Sequence, residues 1–109
     1  MTALQLELGL VGLPPRVEGE TIQDRFESFH DLNPWILTAL IRLADDLVEQ
    51  GASRIGVKML VEVLRWSHAR QTQGDAFKIN NTYASRYARL IVSARPDLAP
   101  MIEQRVLTA

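Results

Sequence analysis

Between Asn33-Pro34 and Gly51 runs a stretch whose apolar residues fall on two adjacent stripes: Ile36, Leu40, Leu43 and Leu47 beside Leu37, Ile41, Ala44 and Val48. Spacings of three and four residues place each stripe on one helical face, and two neighbouring stripes cover more than half the circumference. Asn is a favoured N-cap, Pro is tolerated at the first helical position, and Gly supplies a left-handed stop. The segment predicts a helix from Pro34 to about Gln50, leaving Thr38, Arg42, Asp45, Asp46 and Glu49 for water. A helix so covered cannot lie on a surface, and other elements must pack around it. A chain of 109 residues has room for one such core.

The neighbouring elements follow from the same periods. Thr21-Ile22-Gln23-Asp24 fits a capping box with Asp in the third helical position, so a short helix should follow, with Ile22, Phe26 and Phe29 on one face, ending near His30–Leu32. Asn33 is expected to cap the next helix. After a connector at 53–56, Val57, Leu60, Val61 and Leu64 form one stripe and Met59, Val63 and Trp66 a second beside it, which predicts a deeply packed helix ending near Arg70. His68, one turn beyond Leu64, should be a partly buried, hydrogen-bonded histidine. A polar loop at 71–75 precedes a brief, extended Phe77–Asn80. Asn80 or Asn81 then caps a helix to about Ala94 with Tyr83, Tyr87, Leu90, Ile91 and Ala94 inward. Arg95-Pro96 stops it, since a residue before proline avoids the helical region. A last short helix should carry Leu98, Met101 and Ile102 and end near Val106. Trp66, Phe77, Tyr83 and Tyr87 sit on apolar stripes and read as core, with the tyrosine hydroxyls reaching its edge.

Residues 1–20 read differently. Leu4, Leu6, Leu8 and Leu10 alternate with period two, and Gly12, Pro14, Pro15 and Gly19 break any regular element. This predicts an N-terminal extended arm and linker, docked on the core or on a second subunit, ahead of a helical domain at 21–109. The expected class is mainly α: a compact helical bundle with a helix-turn-helix-like or winged-helix-like core and at most short β segments.

Composition narrows the function. The absence of cysteine removes disulfides, thiol nucleophiles and thiolate metal sites, and makes a reducing, cytoplasmic setting the natural expectation. No stretch approaches the ~18 consecutive apolar residues of a membrane span, and Met1–Glu7 lacks the basic start of a secretory signal. The only candidate bases are two histidines, His30 and His68, neither in a catalytic signature; there is no phosphate-cradling glycine loop and no HExxH pattern. A non-enzyme without cofactor or metal is expected.

Charge points elsewhere. Residues 1–50 carry a net −6 and residues 51–109 a net +5. Such asymmetry hints at a polyanionic partner, unless the acidic half folds against the basic half. Within the basic half, the helix after Asn81 presents Thr82, Ser85, Arg86, Arg89 and Ser93 opposite its core stripe. A recognition helix entering a DNA major groove needs small, hydrogen-bonding and cationic residues there. Arg86 and Arg89 suit guanine edges or phosphates, Asn81, Thr82 and Ser85 suit bases or backbone, and Lys78 suits a phosphate. This reading requires Arg86, Arg89 and Lys78 on one face with Arg54 or Arg70. It fails if Glu62 and the acids of 42–50 cover that face.

The segments Phe26-Glu27-Ser28-Phe29-His30-Asp31-Leu32-Asn33-Pro34, Glu62-Val63-Leu64-Arg65-Trp66, Phe77-Lys78-Ile79-Asn80-Asn81-Thr82-Tyr83, Tyr87-Ala88-Arg89-Leu90-Ile91 and Pro96-Asp97-Leu98 together form a pattern. Over about 26–105 the chain resembles a family of short, functionally uncharacterised helical proteins encoded by bacteria and their phages. The resemblance implies no catalytic residue; it leaves open regulation of transcription, excision, or interference with a host protein. The leading expectation is a small regulatory protein binding double-stranded DNA as a homodimer, because one short helix seldom supplies enough contact for specificity. The alternative is a protein-interaction module, such as a phage-encoded inhibitor or accessory subunit of a host protein, using the leucine arm or the acidic half as its contact surface.

Overall fold

The computed structural model describes residues 8–74 and 79–103. The capping box forms as its residue types require: Asp24 N–H donates to Thr21 Oγ1 at 3.1 Å and Thr21 N–H donates to Asp24 Oδ2 at 3.0 Å. Hydrogen bonding from the Thr21 backbone N–H, and next from its side chain, holds the Asp24 carboxyl below its ordinary range. Helix α1 (Ile22–Leu32) follows, and helix α2 (Pro34–Glu49) restarts after a single residue. Phe26 and Phe29 are buried, and Phe26 meets Tyr83 and Tyr87 edge-on. Ile22, expected on the same inward face, is 48% exposed. The ring contacts stop at Phe26, one turn short of it.

Helix α2 is the centre of the bundle. Ile36, Ala39, Leu40, Leu43 and Ala44 are buried, and Leu37, Ile41, Leu47 and Val48 pack against them from the flanks. Helices α1, α3 (Val57–Thr72) and α4 (Tyr83–Ala94) all pack on it. Gly51 ends the helix at φ +97°, a conformation that a side chain would strain. The radius of gyration is 14.2 Å, near the ~13 Å of a compact chain this long.

The connector closes onto the far end of the described chain. Ile55, fully buried, forms an isolated parallel bridge to Ile102, with Ile55 N–H donating to the Met101 carbonyl at 2.7 Å. This bridge is the one β pairing among the described residues. The last short helix expected from Pro96 is a single 3₁₀ turn, Pro96–Leu98, followed by turns. Its apolar residues still point inward: Leu98 and Ile102 are buried and Met101 is half-buried. No hairpin follows α4 among the described residues. Leu4, Leu6, Phe77, Lys78 and Val106 lie outside the described residues.

Helix α3 departs from its expected packing. Val57, Leu60, Val61, Leu64 and His68 are buried, but Met59, Val63 and Trp66 are 47%, 41% and 64% exposed. At 100° per residue those three lie opposite the buried stripe rather than beside it, and α2 and α4 occupy only one side of the helix. Trp66 is therefore a surface residue, not core.

The described part of the arm docks in cis at residues 8–12, without forming a strand. Asn33, fully buried, accepts from Gly12 N–H at 2.7 Å and donates to the Gly12 carbonyl at 2.8 Å and the Phe29 carbonyl at 2.9 Å. Its side chain thus grips the arm and makes no capping bond to α2. Trp35 Nε1 donates to the Leu10 carbonyl, His68 Nε2 lies 3.1 Å from the Gly9 carbonyl, and the two rings stack. Leu8 and Val11 pack on the core, whereas Leu10 is 89% and Leu13 78% exposed. The period of two fails because backbone groups of the arm, not alternate side chains, make the contact.

Two outcomes follow from this packing. Leu64→Ala should cost ~2–5 kcal/mol in chemical denaturation, since the side chain is removed from a filled core. At Gly9 a Cβ would stand 2.6 Å from Trp35 Cδ1. Gly9→Ala should therefore displace the arm, read as faster amide exchange at Gly12, while the helical circular dichroism is kept. Unchanged protection of Gly12 would show that the arm docks without this close approach.

Candidate nucleic-acid interface

The start of α4 is organised by Asn80. Its Oδ1 accepts from Thr82 N–H at 3.0 Å and Thr82 Oγ1 at 2.8 Å, and its carbonyl accepts from Tyr83 N–H at 2.9 Å. Thr82 occupies the N-cap without a side-chain capping bond, and no acidic residue stands in the first turn. Asn80 thus occupies the N–H groups of Thr82 and Tyr83, while the lack of an acidic residue leaves the positive end of the helix dipole without a compensating charge. Over its whole length, YASRYARLIVSA, α4 contains no acidic residue.

Tyr83, Tyr87, Ala88 and Ile91 face the core and Leu90 is half-buried, whereas Ala94, expected inward, is exposed at the end of the helix. The opposite face carries Thr82, Ser85, Arg86, Arg89 and Ser93, by the 100° step of the helix. Arg86 is held rather than free: its Nε donates to Gln23 Oε1 of α1 at 2.9 Å and its Nη1 to the Thr82 carbonyl at 3.3 Å. Arg89 is exposed. Asn81 and Ser85 border a shallow depression of about 260 Å³ that Lys58 and Glu103 also line. Lys58 thus joins the candidate set from the first turn of α3. Only its place in the charge count pointed to it, since nothing in a linear reading links position 58 to position 85.

The surrounding charges sort into two groups. Arg95 chelates Asp45 with Nη1 and Nη2 at 2.8 and 2.9 Å and also binds Asp97. Its guanidinium holds the Asp97 carboxyl below the usual carboxylate range. Arg54 pairs with Glu103 at 2.7 Å, Arg65 with Glu62 at 2.8 Å and Arg25 with Glu20 at 3.4 Å. Part of the basic half is thereby neutralised, and Arg54 does not bring an unbalanced charge to the α4 face. Arg70 lies on the outer face of α3 with Met59, Val63 and Trp66, so neither Arg54 nor Arg70 joins Arg86 and Arg89 as the recognition-helix reading expected. Among the described residues, neither Glu62 nor an acid of α2 pairs with Arg86 or Arg89. Of the six residues read from sequence, Thr82, Ser85, Arg86 and Arg89 share a face, Asn81 adjoins it, and Lys78 lies outside the described residues.

The histidines belong to the packing. His68 holds the arm, and His30 stacks on Phe26 and meets Tyr87 edge-on. Tyr87 corrects one expectation: its hydroxyl does not reach the edge but is buried without a hydrogen-bond partner among the described residues. Burial pushes this phenol above its ordinary 10.0, with Tyr83 adding to the shift. The unfolded chain therefore releases this proton first, and stability should fall as pH rises through about 10. An unpaired buried hydroxyl contributes nothing that its removal forfeits, so Tyr87→Phe should leave stability unchanged or raise it by up to ~1 kcal/mol. It should also flatten the alkaline decline. Denaturant midpoints at pH 7 and pH 10.5 check both statements.

No family model, no curated protein and no solved structure matches this chain.

Proposed function

We propose that this protein binds double-stranded DNA, with α4 as a recognition helix of helix-turn-helix-like type, and that it acts as a small regulatory protein of a bacterium or its phage. The carrying observation is the outward face of α4: Thr82, Ser85, Arg86, Arg89 and Ser93 on a helix without an acidic residue. Small hydroxyls let a helix approach base edges in a groove ~12 Å wide, and arginines bind guanine or phosphate. The start of α4 carries no acidic residue, and Lys58 beside Asn81 and Ser85 adds positive charge at that end, which suits a phosphate. Arg86, braced by Gln23 and the Thr82 carbonyl, is partly pre-organised, which lowers the entropy cost of docking.

The test is an anisotropy titration with duplex DNA at two salt concentrations. The unmodified protein should bind at low salt. The double variant Arg86→Ala, Arg89→Ala should bind more weakly, with a salt slope reduced by about one unit for each phosphate it no longer neutralises. Its stability should change by less than ~1 kcal/mol, because both side chains stand outside the core. No binding at low salt, or equal binding by the variant, overturns this reading. The interaction-module reading then takes its place, favoured by one observation: the arm presents Leu10 and Leu13 to solvent, 89% and 78% exposed, on a backbone fixed to the core.

A further inference from the structure

The arm, α1 and the start of α4 together border a recess of about 270 Å³. Its apolar lining is Leu13 and Pro14 of the arm with the rings of Phe29 and Tyr83, whose centroids stand 5.6 Å apart. The Asn33 amide fixes the arm beside it, holding Gly12 through both its N–H and its carbonyl. The polar groups of the lining are donors, and no carboxylate is among them. Arg16 makes no ion pair or hydrogen bond among the described residues. Arg25 meets Glu20 through Nε at 3.4 Å, which leaves both Nη groups. Asn80 engages Thr82 through Oδ1 and keeps Nδ2 unused. Tyr83 is the most telling. It is 5% exposed, and its hydroxyl has no hydrogen-bond partner among the described residues, yet unlike that of Tyr87 it is not sealed in the core. A polar group brought to the wall of a cavity and given no protein partner is open to a ligand.

We propose that this recess binds a small aromatic carboxylate, its charge on Arg16 and Arg25 and its ring against Phe29 and Tyr83. A planar guanidinium offers a carboxylate paired N–H donors, which a point charge does not. The Tyr83 hydroxyl and Asn80 Nδ2 supply donors for the remaining oxygen lone pairs. The two rings favour an aromatic body over an aliphatic chain, through edge-on or offset contact. The volume falls just below the ~300–1,000 Å³ of pockets for drug-sized ligands, so the ligand is one ring with a short acid arm. The depression beside Lys58 has neither property: it is lined by Glu103 and by no aromatic ring. The inference does not rest on DNA binding, since none of the residues it uses belongs to the outward face of α4 formed by Thr82, Ser85, Arg86, Arg89 and Ser93.

Titration of the full chain with benzoate, phenylacetate and cinnamate, followed by amide and arginine side-chain NMR shifts, tests it without DNA. At least one should bind saturably, with a millimolar or lower dissociation constant for a ligand of ~10 non-hydrogen atoms. The largest shifts are expected at Arg16, Asn80 and Tyr83. Phenylacetamide, which keeps the shape and lacks the charge, should bind at least tenfold more weakly. Inorganic phosphate should do the same, since it brings no body for the rings. Arg16→Ala should weaken the carboxylate at least tenfold with the fold kept, because the side chain is exposed. Tyr83→Phe keeps the ring and removes only the unpaired hydroxyl, so helical content should hold while affinity falls severalfold. No saturable shift with any of the three acids up to ~20 mM overturns the inference. So does equal binding of phenylacetamide, or indifference to both variants. Phosphate binding as tightly as the best acid overturns the aromatic body.

Discussion

The side chain of Asn33 holds together three segments: the arm, α1 and the start of α2. It is fully buried, and its amide is satisfied at both ends: the oxygen by Gly12 N–H, the nitrogen by the carbonyls of Gly12 and Phe29. Its own N–H donates to the Phe29 and His30 carbonyls, closing α1, and its carbonyl accepts from Ile36 N–H, opening α2. A carboxylate in this place would bring a buried charge without the donor, and an apolar residue would strand the Gly12 backbone. The angle between α1 and α2, and the seat of the arm, both follow from this one amide.

Around that joint the aromatic rings fix the rest. Phe26 and Phe29 of α1 meet Tyr83 and Tyr87 of α4, so α4 is clamped to α1 at its first two turns. At its other end the Arg95 guanidinium binds Asp45 of α2. A helix anchored at both ends presents its outer face rigidly. Helix α3 also has one buried stripe, but where α4 turns hydroxyls and arginines outward, α3 turns Met59, Val63 and Trp66.

Much of this fold was legible in the sequence because its boundaries are written in local chemistry. The capping box at Thr21, Asn33-Pro34, Gly51 and Arg95-Pro96 each act within one turn of chain, and each boundary lies where those residues place it. Partners distant in sequence were not legible. The stripe of Met59, Val63 and Trp66 has the period of a packed face, but a period gives direction and says nothing of whether a neighbour stands there. Ile22 fails for the same reason. Asn33 looked like a cap because its local context is that of a cap; its side chain instead answers to Gly12, twenty-one residues away. At the candidate interface, the shared face of Thr82, Ser85, Arg86 and Arg89 was readable from helical spacing alone. Lys58 and the Gln23 brace on Arg86 depend on tertiary packing and were not.

The seating of the arm also sets an order in time. Gly9 is made early, but its carbonyl meets His68, 59 residues later in the chain. At ~5–20 residues per second, ribosomal synthesis takes roughly 3–12 s to supply that partner. During this interval the Gly9 carbonyl and the Trp35 ring both lack their His68 partner. The arm is thus made before the helix it closes on, and its seat is complete only once α3 has been supplied.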